Sequence, residues 1–167
     1  ICADGRIDIC LEGNVRRNAN WLPRLGFEWT LPANADAFTY YGHGPLESYC
    51  DMHHWAPVGM YESTTQREYV PYVNPQEHGN HYGVKMLEIG GFAFVSGQGL
   101  ECNVSKYTAK ELENKQHNFE LESDGLTHVR VDYKVSGIGS GSCGPQLREQ
   151  YRLQDEKVKF EFSIVKL

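Results

Sequence analysis

Short stretches in which apolar and polar residues alternate recur along almost the whole chain, and this pattern restricts the fold more than any other feature. Residues 6–11 and 26–31 alternate strictly, as expected for β-strands with one buried face. The breaks between such stretches carry Gly, Pro, Asn or Asp, which favour turns. Strands are predicted at residues 6–11, 26–31, 37–41, 83–89, 92–95, 100–104, 117–121, 127–135, 149–153 and 157–165.

Helical periodicity is almost absent from the chain. Residues 108–116 form the one helix candidate, in which Thr108 and Glu111 have the spacing of a capping box. Many short strands with so little helix predict an antiparallel all-β sandwich. Because 167 residues is the size of one domain, we expect residues 1–167 to form a single β-sandwich domain.

The charge of the chain argues against two classes of partner. Its 22 acidic and 16 basic residues give a net charge of −6, with no basic cluster. Nucleic acids and anionic membrane surfaces require clustered Lys and Arg, so neither is expected to bind. No apolar run approaches the roughly 20 residues of a membrane-spanning helix. Residues 1–7 lack an initiator Met and the features of a signal peptide. We therefore expect a piece of a longer polypeptide in the cytoplasm, with the periplasm as the alternative.

The cysteines and histidines predict neither a disulfide framework nor a metal centre. The five cysteines are odd in number and include no Cys-x-x-Cys pair, so reduced thiols are expected. The neighbouring His53 and His54 would point to opposite faces of an extended segment. His78 and His81 could meet in a turn beside Glu77, but a zinc site needs three or four ligands of defined geometry. We expect no metal and no other cofactor in this chain.

Residues 42–83 form a long stretch with weak alternation that holds four prolines and five of the seven histidines. An irregular segment of this length is unusual in a compact domain unless it is functional or packed on a partner. We expect it to contact the rest of a larger protein. Glu47 and Asp51 within it could form an acid/base pair acting on a glycoside, but isolated acids in loops more often form turns or hydrogen bonds.

A glycine-rich loop at residues 137–145 reads Gly-Ile-Gly-Ser-Gly-Ser-Cys-Gly-Pro and follows a predicted strand. A hairpin turn needs only one or two glycines, whereas this loop contains four. The loop is either a mobile connection or a segment shaped to reach a neighbour or a ligand, with Ser142 and Cys143 as its presented side chains. A nucleophilic Cys143 would need a partnered base, and the sequence establishes none.

Five segments of the chain carry a family resemblance: residues 22–26, 41–51, 69–80, 103–107 and 137–145. Read in order, they resemble the C-terminal domain of the large multidomain β-galactosidases of glycoside hydrolase family 2. The resemblance runs from Gly5 to Val165, almost the whole chain. It implies an antiparallel β-supersandwich similar in fold to galactose mutarotases, of which this chain covers the later half. Strands missing from such a fragment would leave an exposed edge, so the isolated chain is expected to form a homodimer or to be marginally soluble.

The resemblance implies an accessory role in catalysis. The general acid/base and the nucleophile of that family are two glutamates on a central (β/α)₈ barrel, which this chain does not include, and a retaining mechanism needs both. The parent enzyme is expected to hydrolyse terminal β-D-galactosides such as lactose, and the isolated chain to be inactive. Its expected partners are the remaining domains and, in the intact enzyme, the galactoside. Mg²⁺ or Na⁺ used by the parent would bind mainly outside this chain.

The same resemblance implies three substrate-binding residues. In that family the loop matching residues 137–145 presents a tryptophan that stacks on the substrate at the mouth of the active site. Cys143 matches this position best and is framed by Ser142 and Gly144, so it would line the sugar pocket as a packing residue. Two positions depart from the family pattern: Met52 replaces a typical arginine and His78 a typical asparagine.

Two other function classes remain open from the residues alone. A stand-alone carbohydrate-binding module would need an exposed aromatic platform. Its candidates are Trp21, Trp29 and Trp55. A mutarotase-like sugar epimerase would need a His and a Glu that converge in a cleft. The candidates for that pair are His81 or His117 with Glu77 or Glu122.

Overall fold

The computed structural model describes residues 1–15, 21–139 and 144–167, and these residues form almost only antiparallel β-structure. The described part contains eight strands, one short α-helix and two 3₁₀ turns. The strands are β1 (Ile7–Asn14), β2 (Arg24–Pro32), β3 (Ala37–His43), β4 (Val58–Thr64), β5 (Asn80–Ile89), β6 (Phe92–Ser105), β7 (Leu126–Val135) and β8 (Lys157–Lys166).

The long strand β6 organises the sheet because it changes partner along its length. Its first residues, 92–95, pair with β8, and its last residues, 101–105, pair with β7. The main sheet therefore runs in the order β1-β8-β6-β5-β3-β4, while β7 leaves β6 to pair with β2. The sheet forks between β7 and β8, and the fork opens where β6 changes partner.

The β2–β7 ribbon folds over β6 and β8 and encloses the core. Trp29 of β2 contacts Phe94 of β6, with ring centroids 5.1 Å apart. Phe27 of β2 contacts Phe162 of β8 at 5.7 Å. These contacts bring the inner faces of two sheet layers together, so the antiparallel all-β sandwich predicted from the sequence is confirmed.

The structure differs from the predicted strands in four places. Strand β4 lies within the stretch predicted to be irregular, and β6 joins two predicted strands into one. Residues 117–121 and 149–153 were wrongly predicted as strands, since they contain the 3₁₀ turns Asn118–Glu120 and Glu149–Tyr151. At the first turn the Glu120 carboxylate accepts the backbone N–H of Gln116 and of His117, at 3.0 and 2.9 Å. This local capping favours a turn over a strand.

The predicted helix is present as α1 (Ala109–Asn114). Thr108 is its N-cap, and the hydroxyl accepts a hydrogen bond from the Glu111 N–H at 3.0 Å. The Glu111 carboxylate accepts the backbone N–H of Glu122 at 2.9 Å, so it ties the helix to the chain that follows. Among the residues that the structure describes, no helix is long and apolar enough to cross a membrane.

Replacing Gly26 with Ala is expected to destabilise the β2–β7 ribbon. A Cβ at Gly26 would lie 2.3 Å from the Asp132 Oδ1 and 2.4 Å from the Val131 carbonyl oxygen. We expect Gly26→Ala to lower the free energy of unfolding by roughly 1–3 kcal/mol, measured by urea denaturation. Gly13→Ala on β1 is the matched control, because a Cβ there has no neighbour within 4 Å. Equal stability of the two variants would contradict the account.

Candidate functional site

The segments that carry the family resemblance interlock through polar contacts at one side of β6 and β7. The Ser48 N–H donates to the Asn80 carbonyl at 2.7 Å, and the Asn80 side-chain amide donates back to the Ser48 carbonyl at 3.0 Å. The Asn103 amide donates to the His78 carbonyl. Residues 41–51, 69–80 and 103–107 are therefore held together by hydrogen bonds between residues 25 to 32 positions apart.

Arg24 is the charged centre of this arrangement. Its guanidinium forms ion pairs with Glu77, at 3.0 Å, and with Asp132 of β7. The arginine thereby joins β2, β7 and the long segment before β5. Burial raises the pKa of Asp132 above its ordinary value, against the opposing pull of Arg24. The ion pair thus opposes the unfavourable desolvation of this carboxylate.

Glu101 closes the ladder between β6 and β7. Its side chain is 4% exposed. One carboxyl oxygen accepts the Val135 N–H at 3.0 Å, beyond the last β6–β7 pair, and the other accepts the Asn80 amide at 2.7 Å. Burial raises the pKa of Glu101 to about 8, although both hydrogen bonds favour the charged form. At neutral pH the group is therefore mainly protonated, and the site has one buried charge fewer.

Asp51 anchors the start of the glycine-rich loop. Its two carboxylate oxygens accept the backbone N–H of Ile138 at 3.1 Å and of Gly139 at 2.9 Å. This approach requires glycine at position 137, because a Cβ there would lie 2.5 Å from the Asp51 Cγ. Gly139 has a φ of +67°, a conformation that glycine adopts without strain. The structure thus explains why glycine occurs at two of the four glycine positions of the loop, 137 and 139.

Hydrogen bonds also hold the residues at the start of the loop and just before it. The Gly137 N–H donates to the Tyr151 carbonyl at 2.9 Å. The Ser136 hydroxyl donates to the Leu22 carbonyl at 2.7 Å. The Cys50 thiol lies 3.7 Å from the Val135 carbonyl and 3.6 Å from that of Tyr151. Burial raises the pKa of the Cys50 thiol to about 11, so it keeps its proton for these weak bonds. These hydrogen bonds fix the base of the loop to the neighbouring segments.

The three residues implied as substrate contacts are placed only in part. Gly144 is exposed, whereas Ser142 and Cys143 lie outside the described residues. Glu47 and Asp51 do not act as a carboxylate pair, because each is engaged by a different element. Glu47 accepts the Tyr72 hydroxyl and the Gly79 N–H, the latter at 2.8 Å. In the structure both acids form hydrogen bonds, which is the alternative given in the sequence analysis.

The histidines of the long segment are packed against aromatic rings. His53 and His54 stack with ring centroids 4.5 Å apart. The prediction that they face opposite ways was wrong, because residues 50–55 form turns where an extended strand was assumed. His81 is fully buried, pairs with Glu68 at 3.0 Å and stacks on Tyr40. In residues 1–15, 21–139 and 144–167, no three His, Cys, Asp or Glu side chains are arranged to hold a metal ion.

The candidate residues for the two alternative functions do not form the expected sites. Trp29 packs against the hydrophobic core, so it cannot belong to an exposed stacking platform with Trp21 and Trp55. The epimerase candidates have other partners: His81 pairs with Glu68, Glu77 with Arg24, and His117 with Glu120. No sequence signal identified Asp51 or Glu101 as anchors, because their partners lie 87 and 34 residues away.

Comparison with known proteins identifies the family of the chain. The family described as Beta galactosidase small chain matches residues 1–164. The chain belongs to this family. It is 38% identical over 97% of its length to the beta-galactosidase of Actinobacillus pleuropneumoniae, and 32% identical over 96% to that of Staphylococcus xylosus. A beta-galactosidase of Kluyveromyces lactis is 32% identical over 85% of the chain. The chain spans 16%, 17% and 14% of the lengths of these relatives, respectively.

The buried Glu101 predicts a pH dependence of stability. Its folded-state pKa of about 8 lies above the ordinary value of 4.5, so the native state retains a proton that the unfolded chain releases. Stability should therefore fall as pH rises from about 5 to 8, with Glu101 contributing up to about 1 kcal/mol per pH unit. Glu101→Gln keeps an acceptor for Val135 and removes this contribution.

Urea denaturation from pH 5 to 9 measures the effect. We expect the curve of free energy against pH to be flatter for Glu101→Gln than for the wild-type chain. Glu113→Gln, an exposed acid on α1, should keep the wild-type slope. Parallel curves for Glu101→Gln and wild type would contradict the burial of a protonated carboxyl.

Proposed function

We propose that this chain is an accessory domain of a larger β-galactosidase that hydrolyses terminal β-D-galactosides such as lactose. The family match over residues 1–164 carries the proposal. The relatives named beta-galactosidase are about six times longer than the chain, which leaves room for the catalytic barrel elsewhere in the larger protein. Alone, the chain is expected to be inactive. The retaining mechanism needs two carboxylates that flank the sugar, and the family resemblance places both on a barrel outside this chain.

The domain would contribute the loop of residues 137–145 to the substrate pocket. The anchoring of Ile138 and Gly139 by Asp51 supports this role, because a loop with a rigid base can hold its apex at a defined distance from a neighbouring domain. Ser142, Cys143 and Gly144 are the proposed substrate contacts at that apex. Cys143 would act by packing against the sugar, with no covalent role.

The remaining domains of the larger protein are the proposed partners. An apolar patch on the outer face of the sheet supports such a contact, since Tyr41, Met60 and Val95 lie in one row across β4, β3, β5 and β6 and are 40–58% exposed. In the isolated chain this patch and the edges at β1 and β4 would favour a homodimer. The larger protein is proposed to work in the cytoplasm and to bind its Mg²⁺ or Na⁺ outside this chain.

A chimera tests the role of the loop anchor. The chain replaces the matching segment of the Actinobacillus pleuropneumoniae beta-galactosidase, and hydrolysis of a chromogenic β-galactoside is measured. Asp51→Asn leaves one of the two loop N–H groups facing an amide N–H₂. We expect kcat/KM to fall about tenfold, as for the loss of one charge-assisted hydrogen bond.

Two further variants interpret the result. Asp4→Asn is the matched control, because Asp4 also accepts a backbone N–H, from Arg6, but lies in an exposed turn before β1. It should leave kcat/KM unchanged. Cys143→Ala should raise KM. Wild-type kinetics for both Asp51→Asn and Cys143→Ala would refute a contribution of the loop to the substrate pocket.

A further inference from the structure

The fork in the sheet leaves a cavity of about 330 Å³ that the proposed function does not use. It lies where β6 stops pairing with β8 and has not yet begun to pair with β7. Residues 98–101 of β6 form one wall, residues 133–135 of β7 a second, and residues 150–153 a third. Its volume lies at the lower end of the range for small-molecule sites. The topology of the sheet therefore produces the cavity.

Three tyrosines are among the residues that line this fork cavity. Tyr82, Tyr133 and Tyr151 line it. Tyr82 is held by stacking on His53, with ring centroids 4.5 Å apart, and Tyr133 packs against Phe160 at 6.0 Å. The Lys134 ammonium lies over one face of the Tyr133 ring, 4.9 Å from its centroid, so a ligand would stack on the other face. Rings fixed in this way offer flat surfaces at little entropic cost. The C–H face of a pyranose ring packs on such surfaces.

The charged groups of the cavity are already engaged. The Lys134 ammonium contacts both carboxylate oxygens of Asp155, at 3.0 and 2.9 Å. The Arg152 guanidinium donates twice to the Leu147 carbonyl, at 3.0 and 2.7 Å. Glu101, at the cavity wall, is mainly protonated at neutral pH because burial raises its pKa to about 8. A strongly charged ligand would thus find no unpaired counter-ion among the described residues that line the cavity.

Uncharged polar groups remain available in the cavity. Neither the Tyr82 hydroxyl nor the Gln150 amide has a hydrogen-bond partner among the described residues, and Gln150 is exposed. A phenol and a primary amide both donate and accept hydrogen bonds, which suits the vicinal hydroxyls of a sugar. Fixed aromatic faces combined with neutral donors and acceptors distinguish saccharide sites from phosphate sites, which use cations or clustered backbone N–H groups.

We propose that the fork cavity binds a neutral hexopyranose between Tyr82 and Tyr133, with Gln150 as a hydroxyl partner. This site would bind sugar without the catalytic domain. A ligand with the 12 non-hydrogen atoms of a hexose and ordinary ligand efficiency has a Kd of roughly 1–10 mM. The site would therefore respond to the concentration of free sugar, such as a hydrolysis product.

Titration of the ¹⁵N-labelled 167-residue chain with D-galactose tests the proposal. We expect saturable shifts of the backbone amides of Gly83, Gly99, Val135 and Tyr151, which line or flank the cavity. D-mannitol, an acyclic polyol without a pyranose face, should give no saturable shift. Gln150→Ala should weaken galactose binding about fivefold, as for one lost hydrogen bond.

The matched control is Gln116→Ala, a second exposed glutamine that lies outside the cavity, and it should bind galactose like the wild type. Tyr82→Ala should weaken binding about tenfold or more by removing the stacking surface. If Tyr82→Ala fails to fold, the Gln150→Ala comparison decides. Shifts that stay linear, that map elsewhere, or that are unchanged in Gln150→Ala would overturn the proposal. Activity of the larger enzyme does not enter this test, so its outcome is independent of the loop.

Discussion

The structure depends on the pairing of charge inside a small β-sandwich. Arg24 lies between Asp132 and Glu77, and so fastens β2 and β7 to the segment that precedes β5. Removing one partner of such a buried ion pair leaves an uncompensated charge, which typically costs about 3–5 kcal/mol. Glu101 meets the same constraint differently, by retaining its proton. Among the described residues, the buried acids Asp132 and Glu101 thus each join segments that lie far apart in the chain.

The base of the glycine-rich loop is attached to the same set of polar contacts. Its base is held by Asp51, by the Tyr151 carbonyl and by the Ser136 hydroxyl, all on chain that the polar contacts already fix. Catalytic accessory loops need such support, because a displacement of about 1 Å in a substrate contact can cost as much as a hundredfold in rate. The fork cavity lies beside the same base, with Val135 and Tyr151 common to both. One scaffold thus positions two candidate sugar contacts.

Alternation in the sequence predicted most strands because their inner faces carry the core. It missed β4, whose inward residues are Gly59, Tyr61 and Ser63 while the exposed face carries Val58 and Met60. The hydrophobic pattern of that strand is inverted, so periodicity could not reveal its buried side. The opposite error occurred at residues 117–121, where Phe119 fits the alternation but is 85% exposed. Alternation of apolar and polar residues indicates a buried face only where a second layer of the protein packs against the segment.

The candidate site was less predictable than the fold. The glycine content marked the loop, and the resemblance of five segments indicated the family. The anchors depend on pairs far apart in the chain, such as Asp51 with Ile138 and Arg24 with Asp132, which a single sequence does not reveal. Capping at Thr108 was predictable because it involves only neighbouring residues. Local chemistry could be inferred from the sequence, whereas long-range polar pairing required the structure.

The most direct test of the central claim uses the Actinobacillus pleuropneumoniae beta-galactosidase in two variants. In one its matching segment is deleted, and in the other that segment is replaced by this chain. Hydrolysis of a chromogenic β-galactoside is measured for both variants and for the isolated chain. The account predicts that the deleted enzyme and the isolated chain are inactive, and that the enzyme carrying this chain in place of its own segment is active. Activity of the isolated chain would show a catalytic site of its own. Full activity of the deleted enzyme would show that the domain is dispensable, and either result would contradict the account.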